Sequence, residues 1–379
     1  MSYSVELHCE KNPVVLQEYM NSTEKASLVR PFSKRPLIIS GPCSAETEDQ
    51  VMHTAMALAR DKRVDVLRFG SWKPRTKPGN FEGNGEESLP WISRAMEATD
   101  LPAAIEVASA HHIEKAMAHG IRMFWIGARS TVNPFTVQEI ADALLGVKDV
   151  SVMIKNPLSP DVELWTGAYE RIKSAGVESI ALVHRGFSSF SPSKYRNPPM
   201  WAIPIEMRQR FPEVPLICDP SHICGNRQHL LHISQRAIDL DFSGLMIEAH
   251  IDPASAWSDA AQQVTPSTLN EMLDHLIWRH SGKQSIRNHP QLQDLRADID
   301  HIDDQIVHLI SERMNISTKI GYYKKEHGIT VLQNKRWADI RQRLNQKAKE
   351  SDLSVAFIEA YLEAIHLESI RKQNEVINK

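Results

Sequence analysis

The stretch from Ser71 to Gly83, SWKPRTKPGNFEG, follows the apolar run VDVLRFG and sets Lys73, Arg75 and Thr76 among prolines. A buried strand that empties into proline-pinned cations reads as a rigid anion grip. Arginine suits bidentate binding of phosphate or carboxylate, and proline fixes φ. Other short apolar runs end on similar groups: Arg68, Glu106, Arg129, Lys155, Arg185, then Asp219 with His222, then Glu248. Converged cations repel one another unless an anion sits among them. The set therefore reads as a site for a phosphorylated, carboxylated substrate. A second constellation is Cys43, His222, Glu248 and Asp259, which offers one sulfur, one nitrogen and two oxygen donors. Mixed ligation of that kind suits Mn²⁺, Fe²⁺, Co²⁺ or Zn²⁺ and does not rank them. Cys218 is a poorer donor, because it lies inside the run PLICD, where alternation sends Asp219 to the other side.

Elements of one kind must deliver these groups to one face. Eight apolar, β-rich runs precede residue 280: LIIS, VDVLRF, AIEVA, MFWIG, VSVMI, SIALV, PLICD and GLMIE. Helical stretches between such runs imply a parallel sheet. Eight units of this length predict a (β/α)8 TIM barrel, whose chemistry sits where strands end and loops begin. An open doubly wound sheet is the alternative, weakened because no GxGxxG follows the first run. Thr47 and Gln50 form a capping-box pattern at the start of the first helix.

Composition excludes several classes. A net charge of −3 over 379 residues indicates neither nucleic acid nor a membrane surface as partner. No apolar run approaches the ~18 residues of a membrane span. The first residues, MSYSVELHCEKNPVV, lack the basic-then-apolar order of a secretory signal. Cys9, Cys43, Cys218 and Cys224 are irregularly spaced, which argues against a disulfide framework and for a reducing, cytoplasmic location. The texture changes near RHSGKQSIRNHP. The expected organisation is a barrel over 1–279, a linker over 280–290 and an all-α helical domain over 291–379.

The motifs GPCSAE, LRFGSWKPRT, WIGAR, IKNP, HRG, DPSH, IEAH and SDA, in that order, resemble those of type I 3-deoxy-D-arabino-heptulosonate-7-phosphate (DAHP) synthases, of the β subgroup. The resemblance implies joining of phosphoenolpyruvate (PEP) to erythrose 4-phosphate. It assigns Cys43, His222, Glu248 and Asp259 to a divalent metal, Mn²⁺ first. Arg68, Lys73, Arg129, Lys155 and Arg185 go to PEP, with Asp219 among the substrate-binding set, and Arg75 and Thr76 to the phosphate of the aldehyde substrate. Lys73, Glu106 and His222 are all candidates for handling the attacking water. The related 3-deoxy-octulosonate-8-phosphate synthases share the barrel, but their loop usually reads KANR where this chain has KPRT.

In the tail, Leu292, Leu295, Ile299, Ile302, Ile306, Leu309, Ile316, Ile320 and Tyr323 follow a 3,4 repeat, which predicts one long packed helix. Arg313 falls on that apolar seam, where a cation needs an anion. Lys324 lies 11 residues on, ~16 Å along the same face, so both can close on one small dianion. Ser369 and Gln373 stand one turn apart on a later helix. The tail resembles an AroQ-type chorismate mutase, a resemblance carried by LRADIDHIDDQIVHLISERMNISTKIGYYK and LESIRKQ. It implies rearrangement of chorismate to prephenate, with Arg296, Arg313, Lys324, Arg336, Ser369 and Gln373 in the site. Within that set Arg313, Lys324 and Gln373 act on the rearranging atoms. Gln333 and Trp337 depart from the acidic residues that family commonly carries there. Arg296 and Lys324 are 28 residues apart on one helix, so both can serve one site only in a homodimer formed through the helical domain. A different-class alternative makes the tail a sensing and dimerisation module for prephenate or chorismate, and a third makes the barrel a silent scaffold.

Overall fold

A computed structural model describes residues 32, 36–74, 79, 81–190, 192–279 and 290–378. The chain divides into two compact units, Met1–His280 and Ser281–Lys379. Of the expected linker, residues 280–289 lie outside the described residues, and Pro290 opens a helix. No helix among the described residues is long and apolar enough to cross a membrane.

The first unit is a closed barrel of eight parallel strands in sequence order: β1 Leu37–Gly41, β2 Val66–Phe69, β3 Ala103–Val107, β4 Met123–Ile126, β5 Ser151–Lys155, β6 Ser179–His184, β7 Leu216–Cys218 and β8 Gly244–Glu248. β8 closes on β1 over five residue pairs, from Leu37 opposite Gly244 to Gly41 opposite Glu248. Around the strands run α1 Glu48–Ala59, α2 Leu89–Thr99, α3 Ala110–Ala118, α4 Ala128–Thr131, α5 Pro134–Ala143, α6 Val162–Ser174, α7 Ala202–Arg210, α8 Pro220–Cys224, α9 Leu230–Asp239 and α10 Pro266–His275.

Strand alternation sorts the core into two layers. Leu37, Ile39, Val66, Ala104, Met123, Trp125, Met153, Ala181, Val183, Ile217 and Met246 fill the barrel. Ile38, Leu67, Phe69, Ile105, Phe124, Val152, Leu182 and Leu245 face the helices. Each Val, Leu, Ile, Phe or Met among them contributes ~1.5–3 kcal/mol when taken from water, before the entropy cost of ordering it.

Short polar caps start the helices and so fix the loops that carry the chemistry. Ser109, Asn133, Asp161, Asp219 and Thr265 each accept a backbone N–H of the helix they open. The capping box at Thr47 is only half formed. Thr47 accepts from the Gln50 backbone N–H at 3.1 Å, but the Gln50 side chain takes the N–H of Glu46 instead of returning to Thr47.

The second unit holds three helices: α11 Pro290–Glu326, α12 Asn334–Glu350 and α13 Val355–Ile377. α11 packs along α13, and Met314, Ser317, Lys324, Leu362, Ile365, Ser369, Gln373 and Val376 are buried. Gly321 permits that approach: a Cβ there would stand 3.0 Å from the Gln373 Cα. The other face of α11 is apolar and open, with Leu295, Ile299, Ile302 and Leu309 each more than half exposed.

Candidate active sites

The C-terminal ends of the strands bring most of the barrel candidates together. Arg68 from β2 lies 3.2 Å from Glu248 Oε1 of β8, and both are fully buried. Lys155 from β5 donates to Asp219 Oδ2 at 2.8 Å. His222 Nδ1 is 2.8 Å from the same carboxylate, and the Asp219 Oδ1 atom accepts the His222 backbone N–H as the cap of α8. Lys73 donates to Cys43 O at 2.8 Å and to Cys43 Sγ at 2.9 Å. Cys43 in turn donates to Asp259 Oδ2 at 3.3 Å. Glu106 sits against the GAR turn, its Oε1 only 2.0 Å from where a Cβ on Gly127 would stand. Arg185 is buried at the end of β6, and Arg129 is exposed on α4. Arg75 and Thr76 lie outside the described residues.

The electrostatics amend the sequence argument. Cations here do not simply await an anion, because Glu248 and Asp219 already pair with Arg68 and Lys155. Burial works against the Arg68 charge, but Glu248 and Asp219 outweigh it and hold its pKa above the ordinary value. Burial pulls Lys155 below its ordinary value, with Asp219 opposing. Burial also lowers Arg185, to about 10, with Asp219 opposing and Arg196 and Arg129 pushing it the same way as burial.

The four expected metal donors fall into two near pairs, Cys43 with Asp259 and His222 with Glu248, whose Nε2 and Oε1 are 3.8 Å apart. Among the described residues no three such donors stand close enough to enclose an ion as placed. The donor set nonetheless fits a divalent cation in kind. Glu248 Oε1, ion-paired with Arg68, is buried without a hydrogen-bond partner and lies 3.8 Å from His222 Nε2, and Cys43 with Asp259 adds a sulfur and a second carboxylate. Burial pushes the Cys43 thiol up to about 12, Glu248 adding and Lys73 opposing. Burial raises the Asp259 carboxyl, but Lys73, His222 and Arg196 prevail and hold it below the usual carboxylate range.

Sequence reasoning passed over the residues that hold these groups. Gln262 donates to Glu248 Oε2 at 2.7 Å, and the Gln263 Oε1 atom accepts the Cys43 backbone N–H at 2.9 Å. Arg196 donates to both Asp259 Oδ1 and Gln262 Oε1 at 3.1 Å. Asn156 accepts the Arg185 backbone N–H at 2.7 Å. The QQ pair after SDAA and the Asn of IKNP are uncharged loop residues, so no charge pattern marked them.

In the helical unit Arg313 of α11 hydrogen-bonds Ser369 of α13, and Lys324 donates to Gln373 Oε1 at 2.9 Å and to Val331 O at 2.7 Å. Burial lowers the pKa of both Arg313 and Lys324. A cavity of about 380 Å³ opens beside Lys324, Tyr323 and Gln333. Trp337 stacks on His366 with ring centroids 4.0 Å apart. Arg336 stands exposed on α12, and Arg296 stands exposed on α11, ~42 Å along the helix from Lys324. The fold of one chain therefore links four of the six tail candidates, Arg313, Lys324, Ser369 and Gln373, by hydrogen bonds, and leaves Arg336 and Arg296 exposed.

A closed parallel barrel with buried cations, carboxylates and soft donors at its C-terminal mouth is a TIM-barrel enzyme architecture. The chain belongs to the DAHP synthetase I family, whose family model matches residues 24–283. The model for chorismate mutase type II matches residues 295–374, so a second enzyme family is represented in the tail. The phospho-2-dehydro-3-deoxyheptonate aldolase of Thermotoga maritima is 30% identical over 239 residues, which are 63% of this chain and 68% of that protein. A crystal structure of the T. maritima DAHP synthase matches with a TM-score of 0.57 at 28% identity, over 63% of this chain and 67% of that one. The 2-dehydro-3-deoxyphosphooctonate aldolase of Desulfotalea psychrophila is 25% identical over 263 residues, 64% of this chain and 88% of that protein.

Proposed function

We propose that the barrel condenses PEP with erythrose 4-phosphate, giving DAHP and phosphate, and that the tail converts chorismate to prephenate, so that one chain serves two steps of aromatic amino-acid biosynthesis by the shikimate pathway. The observation that carries the barrel reading is the convergence of buried Arg68, Lys73, Lys155 and Arg185 with Cys43, His222 and Glu248 at one mouth. Arg68, Lys73, Arg129, Lys155 and Arg185 bind the phosphate and carboxylate of PEP and align its methylene carbon with the aldehyde carbon, where the new C–C bond forms. Arg75 and Thr76 take the phosphate of the four-carbon substrate. Water adds to the carbon bearing the phosphate ester, and phosphate leaves. Lys73, Glu106 and His222 are the groups at the mouth that can handle the proton of that water. A divalent cation held by Cys43, His222, Glu248 and Asp259, Mn²⁺ before Fe²⁺, Co²⁺ or Zn²⁺, would supply a Lewis acid for the aldehyde oxygen. The 30% identity to a phospho-2-dehydro-3-deoxyheptonate aldolase, together with the KPRT loop, supports the four-carbon aldehyde over its five-carbon homologue.

The tail needs no acid, base or metal. Arg313 and Arg336 hold the carboxylates of chorismate in the reactive conformer, Ser369 orients Arg313, and Lys324 with Gln373 stabilises charge on the breaking ether oxygen. Arg296 joins from the second chain of a homodimer, for which the open apolar face of α11 is the contact. The proposed domain limits are 1–279 and 291–379, in a cytoplasmic protein. A regulatory reading, in which prephenate or chorismate bound at the tail tunes the barrel, is favoured by Gln333 and Trp337 standing where acidic residues are usual. Two assays on the purified chain test these readings. One follows PEP consumption with erythrose 4-phosphate, and the other follows chorismate loss. Silence in the first sinks the synthase, and silence in the second leaves the tail as a sensor.

A further inference from the structure

Trp125 is fully buried inside the barrel on β4, in register with Glu106 of β3 and Met153 of β5. The Arg68 Cζ atom lies 4.8 Å from the indole centroid, and the Lys155 Nζ atom lies 5.6 Å from it. Two cations from different strands thus lie within reach of one aromatic ring. Each is also paired with a buried carboxylate, Glu248 for Arg68 and Asp219 for Lys155. The negative face of an indole attracts a cation, and does so more strongly in a dry interior than in water. The Trp125 N–H has no hydrogen-bond partner among the described residues, and neither have Arg68 Nε and NH1. An indole retained at such a place with its N–H unpaired is not explained by volume alone, because methionine or leucine would fill the layer without orphaning a donor.

We propose that Trp125 is a positioning residue of the barrel site, whose ring face sets Arg68 and Lys155 at the height and spacing that a phosphorylated carboxylate requires. The inference rests on the reading of the barrel as a PEP site. The ring does not touch the reacting atoms, so its removal weakens anion binding and spares the chemical step. Phenylalanine keeps a weaker aromatic face, and leucine keeps none.

The test uses the full-length chain with Trp125→Phe and Trp125→Leu. The PEP KM should rise ~3-fold in the first and ~10-fold in the second, with kcat within ~2-fold of wild type. PEP should also change the tryptophan fluorescence of the wild type, and Trp125→Phe should lose more than half of that change. An unaltered PEP KM in both variants overturns the proposal, as does a fall in kcat at constant KM, or a fluorescence response of full size in Trp125→Phe. If Trp125→Leu does not fold, Trp125→Phe and the fluorescence titration decide alone. A wild type that neither consumes PEP nor responds to it refutes the function itself, and that result is read before any variant is compared.

Discussion

Arg296 supplies the sharpest test of the tail. It lies on the same continuous helix as Lys324, since α11 runs unbroken from Pro290 to Glu326. The 28 residues between them span ~42 Å at 1.5 Å per residue, several times the reach of two side chains around one small dicarboxylate. Lys324 is fixed at the α13 side by Gln373, so it cannot move to meet Arg296. Leu295, Ile299 and Ile302 on the Arg296 end are open to solvent, as is Ile316 nearer Lys324. Two copies of α11 laid antiparallel would cover those residues and bring each Arg296 to the other chain's Lys324. Arg296→Ala and Lys324→Ala chains should each be nearly dead as mutases. Mixed and co-refolded, they should pair at random. Half the dimers are then mixed, and each mixed dimer holds one complete site, so about a quarter of wild-type chorismate turnover returns. The assay is loss of chorismate absorbance, with heterodimers confirmed by two affinity tags. No recovery in confirmed heterodimers, alongside active refolded wild type, refutes the shared site.

The barrel carries its own acid sensitivity in His184, which is buried among Phe187, Trp201 and Phe242 and is held at about 3 by burial first and Arg185 second. The unfolded chain binds that proton near 6.5, so stability is complete above 6.5 and falls as pH drops towards 3. At pH 5 the loss is ~2 kcal/mol, and His184→Phe should remove it from denaturation curves followed by tryptophan fluorescence; equal pH slopes in the two proteins would contradict this. Cys43→Ala should abolish retention of a divalent metal after desalting and, with it, synthase activity, while chorismate turnover is unchanged by this substitution or by EDTA. Full synthase activity of a metal-stripped wild type in excess EDTA would falsify the metal role. Prephenate should alter the PEP affinity or the synthase rate of the full-length chain, and any effect on binding must be reciprocal. Identical kinetics with and without prephenate, matched by a chain ending near residue 280, would exclude coupling.

The strands were legible because each is a short apolar run bounded by charge, and all eight close in the expected order. Their limits were less so. PLICD shortens to Leu216–Cys218 because proline cannot donate to the ladder and Asp219, whose N–H still reaches His184 O, turns its side chain to cap α8. The convergence of the charged candidates was legible for the same reason as the strands: a strand end in a parallel barrel has one face to deliver to. What sequence spacing could not show is which charges are already spent on one another. Read along the chain, Arg68 and Lys155 look like free cations, and Glu248 and Asp219 look like a metal donor and a loop acid. In space they are two buried ion pairs. The supporting contacts were invisible for a related reason. Gln263 reaches Cys43 across 220 residues, and Trp125 lies in a run that reads simply as core. Two of the cations at the mouth are therefore already paired with carboxylates. An incoming phosphorylated carboxylate must compete with Glu248 and Asp219 for their cations, and a divalent ion that recruited Glu248 would release Arg68 to the substrate. Binding at the two constellations is then linked through the Arg68–Glu248 pair, and the retention of metal should tighten PEP binding as well as activate the aldehyde.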